Sequence, residues 1–162
     1  MPIYRCSAYL HIPWCVQKCP YCDFNSHALK GKIPHQDYVD HLLEDLNHNL
    51  PLTSGSHRQY PVHRRQHSLI LSSTMPSLVD GVRQRLLLAQ DVEITMEANP
   101  STVEADRFMA YQQAGINRMS ISVQSFEPEK LAHLGHIHGA EEARRAANLA
   151  ASRSACAALI LI

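Results

Sequence analysis

The sequence predicts an α/β fold, part of a (β/α) barrel assembled from about four to five βα units. Three observations predict it. Short apolar runs with strand character alternate with stretches of helical periodicity at spacings of roughly 25 residues, the rhythm of βα units on a parallel sheet. Glycine or proline punctuates the joints between them. The chain has 162 residues, whereas a closed eight-stranded barrel takes about 250, so only part of a barrel can be formed.

The elements follow in order. Tyr9-Leu10-His11-Ile12-Pro13 is a short apolar segment stopped by proline and reads as a strand. A cysteine-rich loop runs from Trp14 to about Asn25. From Asp37 to Leu50, apolar residues fall at Tyr38, Val39, Leu42, Leu43 and Leu46, which is helical spacing; Asp37 or Gln36 is the expected cap and Pro51 the stop. Residues 53–67 carry His57, His63 and His67 among Arg58, Arg64 and Arg65 with almost nothing apolar. This stretch is expected to be a solvated loop rather than a metal or nucleic-acid site. Ser68 to Leu71 reads as a strand, and Leu78 to Leu88 as a helix that Gly81 weakens. Val92 to Glu97 alternates as a strand does, Asn99 to Thr102 forms a turn, and a helix from Val103 to Ala114 closes at Gly115. Met119 to Val123 is the next strand. Pro128 to Leu134 and Ala140 to Ala151 are helical, and the apolar tail after Cys156 offers a fifth strand.

Composition excludes several classes. Apolar residues make up 45% and charged residues 19%, a globular balance. Fifteen basic and fifteen acidic side chains cancel, so no net field draws the chain to nucleic acid or to an anionic membrane. The N-terminus lacks the apolar core of a signal peptide. The longest apolar run, Cys156 to Ile162, falls far short of the ~20 residues of a membrane helix. A cytoplasmic protein without a transmembrane segment is expected. Five cysteines, three of them within eight residues (Cys15, Cys19 and Cys22), argue against a disulfide framework and for metal or redox chemistry.

Cys15-x3-Cys19-x2-Cys22 is the most informative pattern. Thiolates bind soft metals and clusters, and three of them in one loop can wrap three corners of an iron–sulfur cube. A fully protein-ligated cluster uses four cysteines; with three, one iron keeps an open position for a small-molecule chelate. The rival occupant is zinc, held by these cysteines with His11 or His27. Zinc sites usually pair two CxxC elements or a CxxC with HxxxH. Cys6 and Cys156 are isolated and read as ordinary buried thiols.

The stretch His11 to Ser26, HIPWCVQKCPYCDFNS, closely resembles the cluster loop of radical S-adenosylmethionine proteins, and within them the branch related to oxygen-independent coproporphyrinogen III oxidase. The resemblance continues through Glu97-Ala98-Asn99-Pro100, Ser122-Val123-Gln124-Ser125-Phe126 and Leu134-Gly135-His136-Ile137-His138-Gly139. The oxidases place a fourth cysteine two residues after the third, where this chain has Phe24; that substitution resembles the HemW type, a family regarded as heme chaperones.

The resemblance implies that residues 1–162 form an incomplete radical-SAM core domain. It implies a [4Fe–4S] cluster on Cys15, Cys19 and Cys22, and S-adenosylmethionine contacted by Tyr9, Tyr21, Glu97, Gln124 and the His136 position. Heme or a porphyrin would be the further ligand, and an acceptor protein the partner. The alternatives are oxygen-independent oxidation of coproporphyrinogen III and a decayed, non-enzymatic fragment.

Three departures stand out. Where the family resembles Gly-Gly-Gly-Thr before Pro76-Ser77-Leu78, this chain has Ser72-Ser73-Thr74-Met75; side chains there would cost about 1–2 kcal/mol each wherever a left-handed backbone is needed. His136 stands where the family resembles arginine, which grips a carboxylate with two hydrogen bonds as histidine cannot. Finally, the family implies a longer chain with a further cofactor-contacting aspartate. Residues 153–162 diverge from it, and codons can be chosen for the final six residues that read in another frame as Ser-Phe-Asn-Leu-Asp-Leu-Met, similar to the family's strand. A shifted reading frame near Ala151 to Arg153 is expected, and the nucleotide sequence decides it.

Overall fold

The computed structural model describes residues 8–53, 62–64, 73–102, 105–135, 138–153 and 157–161. Its strands are β1 (Ala8–Tyr9), β2 (Trp14–Cys15), β3 (His27–Ala28), β4 (Val62–Arg64), β5 (Ile94–Ala98), β6 (Arg118–Gln124) and β7 (Ala157–Leu161). Its α-helices are α1 (His35–Asn49), α2 (Met75–Arg85), α3 (Ala105–Gln113), α4 (Pro128–His133) and α5 (Ala140–Arg153).

Five strands form one sheet in the order β1-β4-β5-β6-β7, and every neighbouring pair is parallel. Each strand of this sheet lies beside its predecessor in the chain, with α1, α2, α3 and α4–α5 in the successive crossovers. A doubly wound sheet reverses direction at a switch point; this one does not, as expected for an arc of a (β/α) barrel. β2 and β3 form a separate parallel pair, Trp14 opposite His27 and Cys15 opposite Ala28.

The faces of β5 and β6 differ in chemistry. Side chains alternate with period two, so Ile94, Met96 and Ala98 share one face with Met119, Ile121 and Val123, and all six join the hydrophobic core with α2, α3 and α5. Thr95 and Glu97, with Ser120, Ser122 and Gln124, share the opposite face. Ser120, Ser122 and Gln124 are nevertheless buried. Polar side chains on a covered face mark the side of the sheet where a polar site can be built.

Several joints carry identifiable devices. Asn117 sets the entry of β5 and β6: its Oδ1 accepts from the Ile94 amide at 2.8 Å and its Nδ2 donates to the Val92 carbonyl at 2.7 Å. α3 ends in a Schellman motif, with Gly115 N–H donating to Gln112 O and Ile116 N–H to Tyr111 O, and Gly115 at φ +99°. α2 runs unbroken through Gly81, where a Cβ would strike the Leu43 methyls. Glycine there lets α1 and α2 approach closely.

The structure departs from the sequence expectations in two places. Val62–Arg64 form β4, inside the stretch expected to be a solvated loop. The residues on either side supply its ladder, Ala8–Tyr9 on one flank and Ile94–Met96 on the other, so backbone pairing defines this strand where apolar content does not. The strand expected at Ser68–Leu71, like Cys6, Cys156 and His136, lies outside the described residues. α1 begins at His35 behind Pro34 with no side-chain cap, and it passes into a 3-10 turn, Leu50–Thr53, that contains Pro51. Asp37 instead sits in the first turn, where its charge suits the helix dipole. The fifth strand expected from the tail is present as β7.

Candidate metal and cofactor site

β2 and β3 close the cysteine loop like a clasp. His27 N–H donates to Pro13 O at 2.7 Å and Leu29 N–H to Cys15 O at 2.8 Å. Inside the loop, Cys22 N–H donates to Cys19 O at 3.1 Å, which turns the Cys19–Cys22 segment back on itself. The base of the loop is braced from outside: His11 Nε2 bonds Asn25 O at 2.8 Å, and Tyr38 of α1 donates from its hydroxyl to His11 O at 2.8 Å. The Trp14 ring meets Tyr38 edge-on, centroids 4.6 Å apart. Pro20 lies against Gly135, whose φ of +68° and missing Cβ allow the α4 exit turn to come close.

The three thiols line one cavity of about 250 Å³. Its opposite wall comes from the sheet: Glu97 near the C-terminal end of β5, and Ser122 and Gln124 at that of β6. Tyr21 and Phe24 of the loop complete it. The C-terminal ends of parallel strands are where barrel sites are built.

Each thiol has a hydroxyl beside it. Ser26 Oγ lies 3.4 Å from Cys22 Sγ and also hydrogen-bonds Cys15, while the Tyr21 hydroxyl bonds Cys19. Burial pushes the thiols of Cys15 and Cys19 up, and these hydroxyls partly oppose it. Tyr21 is pushed up to about 12, first by burial and then by the charge of Cys19, so it stays a protonated donor. Thiols of this kind keep their protons until a metal displaces them.

Gln124 is the other unusual residue. It is 8% exposed, its Oε1 is buried without a hydrogen-bond partner, and its φ is +67°, the only non-glycine positive φ among the described residues. The β6–β7 register shifts between Ser122 and Gln124, and Gln124 still pairs with Leu161 beyond the irregularity. A strained backbone and an orphaned amide carbonyl together mark a place where a ligand brings a hydrogen-bond donor. His138 holds this strand end through Nε2 to Val123 O at 3.0 Å.

The structure thus brings Cys15, Cys19, Cys22, Tyr21, Glu97 and Gln124 to one cavity. Tyr9 sits elsewhere: it is 49% exposed, stacks on His11 and lines a second cavity against Leu42 and Leu46 of α1. Thr74 opens α2 with φ −95° and Met75 is fully buried, so these side chains carry no left-handed strain. The sequence did not single out Ser122 or Ser26. Period-two spacing from Gln124 would have flagged Ser122; nothing local flags Ser26. Among the described residues no three His, Cys, Asp or Glu side chains converge on a single metal ion.

The Radical SAM superfamily model matches residues 9–161. The chain belongs to this superfamily. In sequence it is HemW-like: it is 61% identical over 145 residues to the heme chaperone HemW of Escherichia coli, covering 89% of this chain and 38% of that protein. It is 49% identical over 153 residues to heme chaperone HemW of Haemophilus influenzae, with 89% and 39% covered. Among solved structures, this radical SAM chain is similar to the radical SAM enzyme coproporphyrinogen III oxidase (HemN) of Escherichia coli, with a TM-score of 0.83, 25% identity, and 99% of this chain and 38% of that one covered. The cobalamin-dependent radical enzyme OxsB shares the fold, with a TM-score of 0.66 at 14% identity over 96% of this chain and 24% of that one. The chain therefore spans under two fifths of the length of the curated HemW relatives named here.

Proposed function

We propose that this chain is the cluster- and S-adenosylmethionine-binding part of a HemW-like heme chaperone. The observation that carries the reading is the single cavity walled by three thiols on one side and by Glu97 and Gln124 on the other. The donor set fits: three thiolates suit three irons of a [4Fe–4S] cluster, and the orphaned Gln124 carbonyl suits a ligand rich in N–H and O–H donors. When bound, the cluster supplies an open iron for the methionyl amino and carboxylate groups and an electron for the sulfonium.

The chain's own residues have distinct parts in this reading. Cys15, Cys19 and Cys22 hold the cluster after losing protons that burial at Cys15 and Cys19 makes harder to lose. Tyr21 donates a hydrogen bond to the Cys19 sulfur. Glu97 and Gln124 orient the nucleoside-bearing ligand from the strand ends. Phe24, 44% exposed on the cavity wall, replaces a polar thiol by an apolar ring. His136 stands where the family resembles arginine, and a histidine cannot match arginine's two parallel hydrogen bonds to a carboxylate.

Anaerobic reconstitution with iron and sulfide, followed by EPR with and without S-adenosylmethionine, tests the reading. The expected result is a cluster signal that changes on adding the cofactor. A signal indifferent to the cofactor would leave cluster binding standing and sink cofactor binding. Zinc uptake in place of iron and sulfide would overturn both.

Heme, passed to an acceptor protein in the cytoplasm, belongs to the same proposal and is supported by the identity of 61% and 49% to proteins described as heme chaperones. Hemin titration should shift the absorbance of the bound heme; an unshifted spectrum would refute heme binding by these 162 residues. The competing activity, oxidation of coproporphyrinogen III, is supported by the fold likeness to HemN and opposed by Phe24. An anaerobic assay for protoporphyrinogen is expected to give none. No helix among the described residues is long and apolar enough to cross a membrane.

A further inference from the structure

Ser26 is buried beside Cys22, a residue of the cavity wall, in a place that no ligand set requires. It is 2% exposed, its Oγ lies 3.4 Å from Cys22 Sγ, and the same hydroxyl hydrogen-bonds Cys15. These two cysteines are the ends of the three-cysteine motif, so one small side chain is wedged between its first and last sulfurs.

The position is fixed by backbone. Ser26 N–H donates to Phe24 O at 2.7 Å, and the amide of the next residue, His27, donates to Pro13 O at 2.7 Å within the β2–β3 clasp. The preceding carbonyl, that of Asn25, is held by His11 Nε2 at 2.8 Å. With its own amide and both neighbours tied, the Ser26 backbone is held beside the sulfurs, and only rotation about χ1 can move its hydroxyl.

Chemistry then dictates what the hydroxyl does once the sulfurs carry metal. A serine hydroxyl has one proton and two lone pairs. A thiol can donate or accept; a metal-bound thiolate can only accept. Loading therefore forces the Ser26 proton onto one of the two flanking sulfurs. A hydrogen bond to a cluster sulfur drains charge from it and favours the more negative, reduced state, and such bonds are among the determinants of cluster potential.

We propose that Ser26 is a positioning residue for the cluster sulfurs, donating its hydroxyl proton to Cys22 or Cys15 and raising the potential at which the site accepts an electron. This rests on the cluster reading given above. The expectation is specific: one exchangeable side-chain proton at Cys22 or Cys15, in addition to that of the Tyr21 hydroxyl at Cys19.

The test uses the full 162-residue chain and its Ser26→Ala and Ser26→Thr variants, all reconstituted anaerobically with iron and sulfide. Iron and sulfide content reports loading. A redox titration followed by EPR gives the midpoint potential, and deuterium ENDOR after exchange into D2O reports the proton. Ser26→Ala is expected to load, to move the midpoint to a more negative potential and to lose one exchangeable coupling; Ser26→Thr is expected to restore both. A loaded Ser26→Ala with the parent's potential and coupling overturns the proposal and assigns Ser26 to packing alone. Where Ser26→Ala does not load, Ser26→Thr decides. The parent's potential and coupling in Ser26→Thr support the hydroxyl's role, and a shifted potential without the coupling overturns it. A parent chain that takes up no cluster sinks the cluster reading itself, an outcome distinct from any failure of Ser26.

Discussion

At the scale of single residues, the cavity separates groups that hold from groups that orient. Replacing Cys15, Cys19 or Cys22 by alanine removes one of three thiolates, and each variant is expected to lose most of its reconstituted iron, measured by iron content after desalting. Gln124 makes a different prediction, because its φ of +67° costs about 1 kcal/mol in a residue with a Cβ. Gln124→Gly relieves that strain and removes the orphaned carbonyl. Its melting temperature should hold or rise while the EPR response to S-adenosylmethionine weakens; a lower melting temperature with an intact response would contradict the assignment. The three cysteines, Tyr21, Glu97 and Gln124 could be found in the sequence because a spacing or a resemblance points at each. Ser26 could not, because its importance comes from the fold of the loop, which brings position 26 back between positions 15 and 22. Tyr9 shows the opposite limit. The resemblance points at it, and the structure places it beside His11 and against α1, outside the lining of the cysteine cavity.

At the scale of elements, caps and pairings decide more than apolar content. Gly115 closes α3 at φ +99°, and a Cβ there would also sit 3.0 Å from Arg83 Nη2. Gly115→Ala should lower stability by about 1–2 kcal/mol, read as a lower urea midpoint with unchanged slope. The helices after residue 100 were legible because Gly115, Gly135 and Gly139 punctuate them and apolar residues recur at helical spacing. β4 was not legible, because three residues with one apolar side chain among them, Val62-His63-Arg64, become a strand only when flanking strands offer partners on both sides. Burial of the cysteine loop has its own consequence. The Cys15 and Cys19 thiols are raised above their ordinary value of 9.0, so the folded metal-free chain keeps protons that the unfolded chain releases. The stabilisation is complete below the unfolded thiol value and is lost as pH rises through the folded values. The melting temperature of the metal-free protein should therefore fall between about pH 8 and about pH 10, in the range where free thiols ionise, and the fall should flatten in a Cys15→Ala, Cys19→Ala double variant.

At the scale of the whole molecule, the architecture was legible in outline: alternating patterns and chain length point to part of a parallel barrel, and the strand order agrees. What the sequence left open was which strand ends meet the loop, since that depends on sheet register. The pairing of Glu97 with Ser120 sets the relative heights of the β5 and β6 ends across the cavity. Among the described residues the two outer strands, β1 and β7, each have one paired neighbour in the sheet, and unpaired strand edges invite association. The 162-residue chain should elute from size exclusion at an apparent mass that grows with concentration. The order of the strands also bears on synthesis. Each βα unit docks on an edge that already exists, so the sheet can be laid down in the order the ribosome delivers it. The cavity walls come from residues between Cys15 and Gln124, so all of them have been made before β7 is translated. In stalled nascent chains of increasing length, protease resistance of the β5 segment should appear once β6 has cleared the exit tunnel. The pocket for the cluster would then be assembled while the rest of the polypeptide is still being made.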